Sequence, residues 1–192
     1  MPRPWPAKYM KSVPDPLALA VIDFWQSAGP SAWFAKDDEF DARFRDQFMD
    51  LHFAAARREL DHWSENAQGS LALILLLDQF PRNAFRDTPH MFATDGLARR
   101  AAKLAIDANF VTQIGQPLAL FLCVPFIHSE DIADQRYGVQ LYQRYSPDNI
   151  RHAIEHCEII ARFGRFPHRN RILARDCTAE ELQFLEEGGF AG

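Results

Sequence analysis

The sequence predicts an all-α protein, and three observations carry that expectation. Large apolar residues recur at three- and four-residue spacing through most of the chain. No stretch sustains the period-two alternation of a half-buried strand. The apolar segments have helical lengths, with Asp, Ser or Thr at their starts and Gly or Pro at their ends. With 192 residues and 47% hydrophobic content, the chain is expected to be one domain over 1–192, built of seven to nine helices in antiparallel hairpins.

In chain order, residues 1–14 are basic and proline-rich and lack the apolar stretch of a signal peptide, so they read as an extended arm. A first helix runs from Asp15 or Pro16 to about Ser27, with Leu17, Ala20, Val21 and Phe24 on one face and Gly29-Pro30 as its stop. Asp37 and Asp38 open a second, which carries Phe40, Phe44, Phe48, Leu51 and Ala55 and is expected to reach about Trp63. That aromatic stripe reads as core packing and not as a cofactor site. The segment from Ala67 to Phe80 is apolar nearly all round and should be the central buried helix, with Pro81 ending it and a polar loop over residues 81–90. Thr94 or Asp95 starts a helix to about Ala108, and Pro117 to Val124 reads as a buried helix closed by Pro125. Ser129 is the expected cap of a helix reaching Tyr145, and Asp148 starts another that breaks near Gly164. Thr178 and Glu181 have capping-box spacing and open a last short helix stopped by Gly188-Gly189.

Composition removes several functions. The uninterrupted apolar run Leu71 to Leu77 is far short of the ~20 residues that cross a bilayer, so no membrane partner is expected. A formal net charge of -5 offers no broad positive footprint for nucleic acid. Cys123, Cys157 and Cys177 are odd in number and lack CxxC spacing, which suits reduced thiols in a cytoplasm and predicts neither a cysteine metal site nor a cofactor. Of the 21 basic residues only Lys8, Lys11, Lys36 and Lys103 are lysines, a bias toward planar donors that engage carboxylates and other oxyanions.

Four blocks carry a family resemblance: LALILLLDQFPRN at Leu71 to Asn83, FATD at Phe92 to Asp95, PFIHSEDIADQ at Pro125 to Gln135 and RFGRFPHRN at Arg162 to Asn170. With WFAKDDEFDARF at Trp33 to Phe44 and EELQFL at Glu180 to Leu185, the chain resembles the bacterial DUF924 family over nearly its whole length. The resemblance implies a tetratricopeptide-like, all-α superhelix and no particular activity.

The chemistry concentrates in Arg162 to Arg175, where five arginines and one histidine occur without a carboxylate. Such a segment needs anionic partners from the fold or from a ligand. One reading ties the arginines to Glu130, Asp131 and Asp78 in a structural ion-pair network, leaving a partner-protein scaffold. A second makes Arg82, Asn83, Arg86, Arg162, Arg165, His168, Arg169 and Asn170 the grip on a small anion or an acidic peptide end, oriented by Asp78, Gln79, Asp134 and Gln135. A third makes His128 or His168 a general base beside Glu130 or Asp131, as in a small hydrolase. His152 and His156 spell H-x-x-E-H, but no third zinc ligand follows in the remaining chain. His52, His62 and His90 read as isolated side chains.

Overall fold

A computed structural model describes residues 13–190, in which all regular structure is helical. The helices are α1 (Pro16–Ala28), α2 (Pro30–Trp33), α3 (Asp38–Ala56), α4 (Ala67–Ile74), α5 (Phe80–Ala84), α6 (Asp95–Asp107), α7 (Val124–Ile127), α8 (Ile132–Tyr145), α9 (Ile150–Phe163) and α10 (Ala179–Glu186). A π-helical turn, Leu75–Gln79, joins α4 to α5, so the two form one rod and the described residues hold nine helices. The all-α expectation holds. Short connections force neighbours such as α8 and α9 to run antiparallel, which is compatible with a tetratricopeptide-like superhelix. Most of the proposed N-terminal arm, residues 1–12, lies outside the described residues.

Local chemistry sets the boundaries. The Asp15 carboxylate accepts from Leu17 N at 2.8 Å with Pro16 at the first helical position, and Gly29 at φ 77° ends α1. Asp37 caps α3 through bonds of 3.0 Å to Glu39 N and Phe40 N. Contrary to expectation, α3 stops at Ala56, well before Trp63. The apolar period fades after Ala55, and Arg58 turns left-handed at φ 66° while its guanidinium bonds Asp61. The aromatic stripe is core: Phe40, Phe44 and Phe48 are buried around Phe24, whose ring stacks on Phe44 at 5.1 Å.

The larger correction concerns Pro81, which ends no helix. Proline has no N–H for the carbonyl four residues back, and the rod absorbs that loss by slipping into π register, where Phe80 N bonds Leu75 O. The Leu76, Leu77 and Asp78 carbonyls then take side-chain donors: His52 Nδ1 at 2.9 Å, Thr94 Oγ1 at 2.6 Å and Arg82 Nη1 at 2.6 Å. Pro125 likewise lies inside the first turn of α7 instead of closing a helix, after a 3₁₀ segment Leu118–Leu122. The α8 cap is Asp131, not Ser129, and α9 begins at Ile150, after a 3₁₀ turn at Pro147–Asn149. The Thr178–Glu181 capping box is present. The rod from Ala67 to Phe80 is the centre of the main core, with Leu71 to Leu77 at most 3% exposed.

Candidate functional site

The π turn places Asp78 at the centre of a buried polar cluster. Its carboxylate is 1% exposed and receives His128 Nδ1 at 2.9 and 3.1 Å and Gln79 Nε2 at 2.6 Å. Arg82, one turn on, lies 3.4 Å from the same carboxylate and makes a two-pronged contact to Asp95, at 2.9 and 3.1 Å. Burial alone would raise the Asp78 carboxyl, but the charge of Arg82 and the hydrogen bonds from His128 and Gln79 hold it well below the usual range. An ionised carboxylate only accepts, so His128 carries its proton on Nδ1 and its lone pair on Nε2. Burial and the Arg82 charge lower the His128 pKa, against the opposing pull of Asp78, and the imidazole is neutral near pH 7.

Arg169 completes the cluster from a 3₁₀ turn, Pro167–Arg169. Its guanidinium lies 4.5 Å from the ring centres of both Phe92 and Phe166, a cation held between two aromatic faces. Nη2 donates to His128 O at 3.0 Å, Nη1 is 3.6 Å from Asp95, and Nε is buried without a protein acceptor. Burial and the neighbouring Arg82 bring its pKa down to about 10, so it remains charged.

The other predicted residues go elsewhere. Arg165 makes a bidentate contact to Glu181 at 2.6 and 2.8 Å, and Arg162 reaches Glu180 at 2.8 Å, both carboxylates at the start of α10. Asn170 joins Glu181 and Arg175. Glu130 takes Arg175 at 2.7 and 2.9 Å and Phe166 N at 2.8 Å, while Asp131 is spent on capping α8. Neither acid therefore serves as the imidazole partner considered for His128, a role that falls to Asp78. Asn83 and Arg86 turn to Asp41 on α3. Asp134 binds Arg99 and Ser129, and Gln135 donates to the Ile127 and Ser129 carbonyls. The buried His168 Nδ1 has no partner, and its ring lies against Phe166 and Phe190. His156 Nδ1 bonds the His152 carbonyl at 2.7 Å, and among the described residues no three His, Cys, Asp or Glu side chains are grouped to hold a metal ion. His52 is not isolated: it is fully buried, with Nε2 at 3.1 Å from His90 Nε2.

Sequence reasoning missed Phe92, Thr94 and Asp95 as site components, although FATD is one of the blocks carrying the resemblance. In three dimensions the block is a unit: Phe92 covers Arg169, Thr94 holds Leu77 O, and Asp95 anchors Arg82.

This buried Arg–His–carboxylate cluster lies within an all-α fold. Residues 21–189 match DUF924, described as a bacterial protein of unknown function, and the chain belongs to that family. A solved protein of unknown function from Agrobacterium tumefaciens is similar to it, with 55% identity and a TM-score of 0.87 over 90% of this chain and 98% of that one. Among curated proteins, none matches this chain.

Proposed function

We propose that the Asp78–His128–Arg82–Arg169 cluster binds a small anionic molecule. Arg169 is the observation that carries this reading. An arginine only 6% exposed normally spends its donors on carboxylates, whereas this one has a carbonyl, a carboxylate at 3.6 Å and an unpartnered Nε. An oxyanion beside Nε would satisfy that donor. Arg162, Arg165 and Arg175 each already have a carboxylate partner, which leaves them to the fold.

The test is thermal unfolding with inorganic phosphate and with succinate. Selective binding to the folded state raises the melting temperature with anion concentration. Arg169→Lys keeps the charge but loses the planar fork and the stacking, and should abolish the rise; Arg165→Ala should keep it. A wild-type protein indifferent to both anions, or an Arg169→Lys variant that responds like wild type, rejects the proposal.

A further inference from the structure

We infer that the cluster is also catalytic: Asp78 orients His128 so that Nε2 activates water against a small ester that carries a carboxylate. The inference rests on the anion-binding reading and adds a reaction and a substrate class to it. Three features of the geometry support it.

The first is the imidazole. Both Asp78 oxygens lie within 3.1 Å of Nδ1, so the basic lone pair is on Nε2. Among the described residues Nε2 has no hydrogen-bonding partner, and the side chain keeps 17% exposure, which leaves its far edge accessible to water. The second is the arginine pair. Arg82 bonds the backbone carbonyl of Asp78, and Arg169 bonds that of His128, so both guanidiniums lie beside the acid–base pair. The third is the open donor. Arg82 is spent on Asp78 and Asp95, and Arg169 Nε is buried without an acceptor among the described residues. One open guanidinium donor suits the carboxylate of a small ester and leaves little for the several oxygens of a transferring phosphoryl group.

The step balances without a co-reactant. Nε2 takes a proton from water as the water oxygen bonds to the acyl carbon, and the carbonyl electrons move onto oxygen. The resulting oxyanion collapses, the bond to the leaving alkoxide breaks, and the proton passes from Nε2 to that alkoxide. The products are an alcohol and an acid. His128 is the catalytic residue and Asp78 a positioning residue.

Hydrolysis of mono-4-nitrophenyl succinate, with 4-nitrophenyl butyrate as the uncharged control, tests this. The expected result is at least ~10-fold higher kcat/KM on the charged ester, with the rate rising through one ionisation below pH 6.5 and flat above it. The groups facing His128 are Asp78, Arg82, Asp95, Arg169, His156 and His168, and Asp78 is the one bonded to its ring. His128→Gln should lower kcat/KM by ~100-fold or more, whereas Arg165→Ala, whose guanidinium is paired with Glu181 outside the cluster, should leave it at the wild-type value; His128→Asn serves if Gln fails to fold. Asp78→Asn should lower the rate and shift the ionisation in the pH profile, a change that loss of packing alone does not produce. If succinate binds but the charged ester is not hydrolysed, or if His128→Gln hydrolyses it at the wild-type rate, catalysis is rejected and binding stands. If phosphate raises the melting temperature of wild type and succinate does not, this inference fails and binding stands; if neither anion has an effect, the binding reading fails and takes this one with it.

Discussion

His168 shows what burial does to a single titratable group. Its Nδ1 has no partner, and desolvation, reinforced by the adjacent Arg169 charge, brings its pKa to about 3, while burial brings His156 to about 4. Both lie below the unfolded value of about 6.5. The unfolded chain therefore binds more protons between these limits, and stability that is complete above pH 6.5 is lost as pH falls toward 4 and then 3. Urea denaturation at pH 7 and pH 5 should show the loss, and His168→Phe, which removes both the titration and the orphaned nitrogen, should reduce it. An equal loss in the variant would rule out His168 as a source. At this scale the sequence revealed residue types and not directions. Arg169 was visible as one charge in a run of five, but its inward turn depends on Phe92, 77 positions earlier. Asp95 looked like a helix start, and only the approach of α6 to α5 makes it the anchor of Arg82.

Among the elements, the rod from α4 through α5 is the most informative. Its apolar character marked it as central, and burial of Leu71 to Leu77 agrees. Pro81 was misread because proline rules assume α register; the π turn removes the need for its missing donor, and π turns recur at functional positions. The arrangement depends on donors from other elements, which local sequence cannot reveal. Thr94 is the clearest, buried and 2.6 Å from Leu77 O. Thr94→Val keeps the shape and leaves that carbonyl unpaired, at a cost of about 1–3 kcal/mol, whereas Thr94→Ser keeps the bond and should cost less. Chemical denaturation measures both, and equal losses would mean that the methyl group matters more than the hydroxyl. The capping box at Thr178 was legible because its two members lie within one turn, and Thr178→Ala should weaken α10 by about 1 kcal/mol.

For the whole molecule, the arginine-rich stretch joins two apolar cores. The main core surrounds the central rod, and a smaller cluster of Ile159, Ile160 and Phe166 collects Ile132, Phe163 and Phe184. With only three buried apolar residues, the smaller cluster has little hydrophobic driving force of its own. Side-chain bonds tie it down: Glu130, just before α8, holds both Arg175 and the backbone of Phe166, and Glu181 holds Arg165 and Asn170. Phe166 is also one face of the Arg169 sandwich, so the tie that holds the smaller core in place also shapes the candidate site. Glu130→Ala removes the acceptor of Phe166 N and leaves Arg175, 24% exposed, without its carboxylate, at a cost of about 2 kcal/mol after allowance for solvent. Glu130→Gln keeps an acceptor for the backbone and should cost about half as much. Hydrogen exchange locates the effect: amides over residues 163–186 should exchange faster in Glu130→Ala, with those of 67–84 unchanged, because the apolar contacts of the central rod lie in the main core. Uniform acceleration over both segments would mean that the two cores unfold as one cooperative unit.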